Sequence, residues 1–153
     1  MRKRFNMKKT SLGYKAITKL PLIVFHDYKA LSYPKKSIIT TAKRIYKREK
    51  LSILKKAHVI LCSNIKIKKL NSMFRHKNRA TDVLSFNYDD NDMLGEIYIS
   101  LQKAKTQAKE YKVTYDNEVL RLFVHGMFHL LGFDHETEKD KKKMQAKENI
   151  YVK

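Results

Sequence analysis

The segment from Asp116 to Leu131 constrains this chain more than any other, because Val119, Leu120, Leu122, Phe123, Val124, Met127, Phe128, Leu130 and Leu131 leave it almost no polar face. A helix that apolar has to sit centrally, with the rest of the fold wrapped round it. Two histidines interrupt it, His125 and His129, four residues apart and therefore stacked one turn above the other on a single face. Gly132 follows, the residue type that ends a helix in a left-handed turn, and His135 comes three residues later. Three of the six histidines thus fall within eleven residues. Three neutral imidazoles aimed at one point suit one divalent transition metal per chain, with zinc the default. They leave one position of a tetrahedron open, as catalytic sites do and closed structural sites do not. Alone, the His-x-x-x-His pair reads as two packed or surface histidines; the third histidine and the turn glycine make the metal reading the stronger one. Binding through neutral imidazoles is expected to weaken below about pH 6.

Two neighbours refine this picture. Asp134, beside His135, is the expected acceptor for an imidazole N–H. Gly126 stands where the zinc-peptidase helix His-Glu-x-x-His carries its general-base glutamate. A glycine inside a helix costs about 1 kcal/mol relative to alanine, so it has a reason: close approach of a substrate or another backbone, or tight helix packing.

Charge is distributed unevenly. Residues 1–80 hold 23 Lys/Arg and two acids, whereas residues 81–153 hold 11 Lys/Arg and 13 acids. Such asymmetry is the electrostatic footprint of a polyanionic partner, nucleic acid before an anionic membrane surface. From Ser37 onward, Ile38, Ile39, Ala42, Ile45 and Tyr46 fall at helical spacing, and Lys43, Arg44, Lys47 and Arg48 occupy the other faces. Those four residues are the expected nucleic-acid-binding surface of a cationic amphipathic helix.

A chain of 153 residues with 42% hydrophobic content is expected to form a single domain over 1–153, with residues 1–19 a basic, mobile arm. The one cysteine, Cys62, lies in an apolar run; it excludes an intramolecular disulfide and a cysteine metal cluster, which fits a reducing compartment. No stretch approaches the roughly 18 apolar residues of a membrane span. Leu20–Phe25 is short for a signal-peptide core, so the expected location is the cytoplasm, with no membrane partner. Leu20–Phe25 reads as a strand instead. Ala57–Cys62 reads as a buried strand, with Asn64 as N-cap of a helix through Leu70 and Phe74. Val83–Phe86 and Glu96–Ile99 read as a hairpin round a turn-rich Asn87–Asp92, residues 101–112 as a helix, and Thr137 with Asp140 as the capped start of a last helix to Tyr151.

Three blocks now invite comparison. His125-Gly-x-x-His-Leu-x-Gly-Phe-Asp-His135 resembles the signature of the YbeY family of metal-dependent endoribonucleases, which act in ribosomal RNA maturation. Leu70-Asn71-x-x-Phe74-Arg75 followed by Thr81-Asp-Val-Leu-Ser-Phe86, and then Leu94–Ser100, matches that family's central region in order and spacing, and Met144 and Glu148 fit its C-terminal helix. The likeness spans roughly residues 57–151. It departs in small ways, with Asn78 where an acid is frequent nearby and Phe133 where tyrosine is common. The resemblance implies an α/β (α+β) fold with a mixed, mostly four-stranded sheet packed with helices and a metal-bearing helix near a cleft. It also implies single-strand-specific cleavage of ribosomal RNA at the small-subunit 3′ end, on ribosomes or their precursors, and a part in ribosome quality control. By match to the motif, His125, His129 and His135 are the metal ligands and Arg75 faces the substrate phosphate.

The residues support that chemistry independently. A metal held by three histidines lowers the pKa of water from 15.7 to about 7, so no peptidase-type glutamate is needed. Negative charge building on a phosphodiester is met by the metal and by a guanidinium such as Arg75. The alternative role for Arg75 is an ion pair with Asp82 or Glu96. Ser85 and Thr81 are open to phosphate contact or core hydrogen bonding. The nucleophile, water or the RNA 2′-OH, is not specified. Two other classes share the features: a zinc-dependent hydrolase or peptidase, and a non-enzymatic ribosome-associated RNA-binding protein with a structural metal.

Overall fold

A computed structural model describes residues 20–88 and 90–153. The proposed arm over residues 1–19 lies outside the described residues. The elements run β1 (Leu22–His26), α1 (Lys35–Arg48), β2 (Lys56–Cys62), α2 (Asn64–Arg75), β3 (Val83–Asn87), β4 (Met93–Ser100), α3 (Leu101–Glu110), α4 (Tyr115–Leu130) and α5 (Glu138–Tyr151). The sheet order is β1-β2-β4-β3, parallel from β1 through β2 to β4, with β3 pairing antiparallel to β4 at the edge. The α/β class, the mixed four-stranded sheet and the β3–β4 hairpin agree with the sequence reading.

Side-chain alternation divides the sheet into two faces. Val59, Leu61, Ile97 and Ile99 point into the larger core with Ile38, Ala42 and Ile45 of α1, Leu101 and Ala104 of α3, and Met144 and Tyr151 of α5. Into the middle of that core α4 drives Val119, Leu122, Phe123, Val124, Met127 and Phe128, all at most 1% exposed. Burying each such side chain contributes about 1.5–3 kcal/mol. That is why an apolar sixteen-residue helix ends up here. The other face carries a smaller core of Ile60, Cys62 and Leu84 under Ile67 of α2.

The boundaries shift by a residue or two. The first strand runs Leu22–His26 instead of Leu20–Phe25, α1 begins at Lys35 instead of Ser37, and α3 ends at Glu110. The cap of α2 is Ser63, whose hydroxyl accepts the Lys66 N–H at 3.2 Å, not Asn64. Asn64 is drawn to other work: its side-chain carbonyl accepts from Ser100 Oγ at 2.7 Å and its N–H donates to Gln102. Thr137 caps α5 through the Asp140 N–H as expected.

Gly126 is settled by packing. A Cβ there would stand 2.5 Å from Ile97 Cγ2 and 3.2 Å from Ser85 Oγ, so the glycine lets α4 lie directly on the β3–β4 hairpin. Gly126→Ala gains about 1 kcal/mol of helix propensity. Overpacking a core costs about 1–3 kcal/mol. The expected net result is destabilisation by up to about 2 kcal/mol, read from chemical denaturation; a stabilised variant would show that Ile97 moves aside freely.

Candidate metal centre and nucleic-acid cleft

The three histidines meet because of how α4 begins and ends. Thr114 caps its start by accepting the Asn117 N–H at 3.2 Å, and Asp116 and Glu118 lie in the first turn, where acids complement the helix dipole. At the other end Gly132 has φ +90, and no atom lies within 4 Å of where its Cβ would be, so glycine is required by the turn and not by space. The Gly132 N–H donates to the His129 carbonyl at 3.1 Å and the Phe133 N–H to the Phe128 carbonyl at 3.0 Å. The Phe128 and Phe133 rings pack edge to face at 5.4 Å. That is a complete Schellman turn with its hydrophobic contact, and it folds the chain back to bring His135 beside the helix.

One coordinating nitrogen from each of His125, His129 and His135 lies within 4.8 Å of the others. The Nε2 atoms of His125 and His129 are 3.0 Å apart. Zinc–nitrogen bonds of 2.0–2.1 Å in a tetrahedron place neighbouring donors about 3.3 Å apart, so the helical pair is already at ligand spacing. His135, exposed in the turn, completes the set. The residues present therefore fit a divalent metal held by three imidazoles.

Glu148 of α5, buried at 4% exposure, accepts a hydrogen bond from Nδ1 of His125. This fixes the tautomer: with the proton on Nδ1, the Nε2 lone pair faces the other two rings. Asp134, expected in that role, is exposed and, among the described residues, accepts the Glu136 N–H at 3.3 Å and no imidazole N–H. Asp134 borders a different pocket, with Asp140 and Lys143, and the acceptor comes from a separate helix.

His129 is held neutral. Burial lowers its pKa from 6.5 to about 4, helped by the neighbouring His125 and His135 and opposed by a backbone hydrogen bond at Phe133. In chelator-treated protein the unfolded chain therefore takes up the His129 proton first, at the higher pKa. Stability contributed by neutral His129 is full above about pH 6.5 and is lost as pH falls toward about 4. His129→Gln is expected to flatten that slope in thermal melts of the metal-free protein between pH 7 and 4; an unchanged slope would assign the acid sensitivity to other groups.

The histidines open into a cleft of about 370 Å³ shared with Arg75, Thr81, Asp82, Ser85, Asn87 and Arg121. Arg75 is the last residue of α2, which stops because His76 adopts a left-handed φ of 56°. Asn71, 2% exposed, anchors the following loop by donating to the Arg79 carbonyl at 2.8 Å, while its own carbonyl accepts the Lys77 N–H. Among the described residues neither candidate carboxylate holds Arg75. Asp82 accepts from the Val83 N–H, Thr81 and Gln107, and Glu96 accepts from Tyr88 and Tyr98. Ser85 donates to the Gly126 carbonyl at 3.4 Å.

The four basic residues of α1 do not line this cleft. Lys43 and Lys47 border a separate groove with Tyr46 and Leu51, whereas Arg44 stacks over the Tyr151 ring and donates to the Ile150 carbonyl at 3.1 Å. Three residues that serve the cleft were given no role in it by sequence reasoning: Glu148, noted only as a fit to the family's C-terminal helix, and Arg121 with its buried partner Glu118.

Fold and site together define an α/β protein in which three histidines that could hold a metal ion share a cleft with Arg75 and Arg121. Residues 25–153 match the family model described as endoribonuclease YbeY. The chain is 40% identical over 122 residues to the endoribonuclease YbeY of Acholeplasma laidlawii, covering 78% of this chain and 85% of that protein. It is 38% identical over 138 residues to that of Malacoplasma penetrans, covering 85% and 91%. The solution structure of TM1509 from Thermotoga maritima superposes with a TM-score of 0.64 at 33% identity, covering 86% of each chain. The chain belongs to the endoribonuclease YbeY family.

Proposed function

We propose that this protein is a metal-dependent endoribonuclease that cuts single-stranded RNA, with one zinc ion held by His125, His129 and His135. The observation that carries the reading is the convergence of three imidazoles with Arg75 in one cleft. When bound, a divalent ion supplies Lewis acidity and an activated water at neutral pH. The chain supplies the rest. Glu148 keeps His125 in the tautomer that bares Nε2, and Arg75 meets the charge that develops on the non-bridging phosphate oxygens. A peptidase would need a carboxylate base in the cleft, but Gly126 replaces it and Asp82 is committed to three donors.

The family supports ribosomal RNA as the substrate, on ribosomes or their precursors at the small-subunit 3′ end, and a cytoplasmic place of work with a part in ribosome quality control. The basic first half of the chain is consistent with an RNA backbone. Lys43, Arg44, Lys47 and Arg48 are then a peripheral contact surface, since they lie outside the catalytic cleft.

Purified protein is expected to cut single-stranded RNA, and chelator to abolish the cutting while leaving most RNA binding. Binding without cleavage in the metal-loaded protein would favour a non-enzymatic RNA-binding role. Arg75→Ala is expected to lower the cleavage rate about 100-fold while weakening RNA affinity far less, because its guanidinium acts on charge present in the transition state. Equal losses in rate and affinity would make Arg75 an ordinary phosphate contact.

A further inference from the structure

We propose that Arg121 is a second phosphate contact in the cleft, receiving the phosphate adjacent to the one at the three histidines, and that Glu118 positions it. The proposal rests on reading the cleft as an RNA-cleaving site. Arg121, His125 and His129 follow one another every four residues on α4 and all border the cleft, forming one stripe along its wall. Each step along that stripe rises about 6 Å. An extended single strand whose scissile phosphate lies at the histidines carries its neighbouring phosphate a comparable step along.

The Arg121 side chain is held as a phosphate-binding group needs to be. Its Nε donates to Glu118 Oε2 at 3.0 Å and an Nη donates to Oε1 at 2.7 Å, while the Tyr111 ring lies 6.0 Å from its Cζ. Two of five N–H donors are used, leaving three for a ligand among the described contacts. Burial is lopsided: the Glu118 side chain is 1% exposed and that of Arg121 31%. The acid is sealed in the core and the guanidinium stands at the cleft. Stability alone does not account for such a pair, because an apolar pair of similar volume avoids the desolvation. A planar cation that must keep one orientation beside a substrate does require a fixed carboxylate beneath it. A strand carrying at least one further phosphate next to the one at the histidines therefore fits this cleft.

The test uses the metal-loaded full chain and short single-stranded RNAs with one cleavage position. One RNA is all-phosphate, and others carry an uncharged methylphosphonate at a linkage flanking the cut on either side. Wild type is expected to lose about tenfold in affinity and kcat/KM when one particular flanking linkage is neutralised. Arg121→Ala should bind the all-phosphate RNA about tenfold more weakly and be indifferent to that neutralisation. Because Arg121→Ala leaves Glu118 buried without its partner, the double variant Glu118→Gln/Arg121→Gln provides a folded comparison that strands no charge, and it should behave alike. Glu118→Gln alone should lose affinity only for RNAs carrying the flanking phosphate; loss on every RNA equally would make Glu118 structural. The proposal is overturned if neutralisation costs wild type and variants the same, or costs wild type nothing at either flank. Coupling in binding without any cleavage would remove the endoribonuclease reading and leave the phosphate contact standing. Cleavage without coupling would do the reverse.

Discussion

Alanine at position 129 is expected to strip the protein of its metal and with it nearly all RNA cleavage. His129 is the middle donor: its Nε2 is 3.0 Å from that of His125, and its ring centroid lies 5.0 Å from that of His135. Removing it leaves two donors, one on a helix and one in an exposed turn, too few to hold a divalent ion against water. Metal content should fall from about one ion per chain to below about a tenth. The fold should survive, because His129 borders the cleft and its loss opens no sealed cavity. Metal analysis beside a circular dichroism spectrum decides the matter: a folded variant with full metal content would sink the ligand assignment.

Glu148→Ala is the second large effect. Its carboxylate is the acceptor that orients His125 and commits the ring's proton to Nδ1. Without it the ring rotates and both tautomers are populated, so Nε2 is a bare lone pair only part of the time. Loss of such an outer partner typically costs 10–100-fold in metal affinity or activity, and about that loss is expected here. Glu148→Gln keeps an acceptor in place and should cost less than alanine. Competition titration with a chelator measures both; unchanged affinity in Glu148→Ala would mean that His125 is oriented by packing alone.

The parts of this site legible in the sequence were those encoded by short-range spacing. Helical periodicity placed His125 and His129 on one face, and Gly132 announced the turn that returns His135. The hairpin and the apolar helix were legible for the same reason. What escaped depends on contacts between residues far apart in the chain. Asp134 was the natural local acceptor, yet Glu148 reaches His125 from 23 positions away on α5. The exception is local: Glu118 and Arg121 are three residues apart and went unread, because their role appears only once the helix is buried on one side and open on the other. Asn64 lost the cap of α2 to Ser63 because Ser100 and Gln102, brought alongside by β4 and α3, claim it. Gly126 was ambiguous until Ile97 was seen against it.

Cys62 gives the molecule a chemical temperament of its own. The thiol is fully buried between β4 and α2, near enough to the Ile99 carbonyl for a weak hydrogen bond at 3.5 Å, and burial pushes its pKa up to about 12. Thiolate is the species that oxidants attack, so this sulfur is inert at physiological pH. The proposed donor set contains nitrogen alone. Peroxide, which ejects zinc from thiolate sites by oxidising the ligands, has no sulfur here to act on, and the centre should outlast cysteine-ligated zinc proteins under oxidative stress.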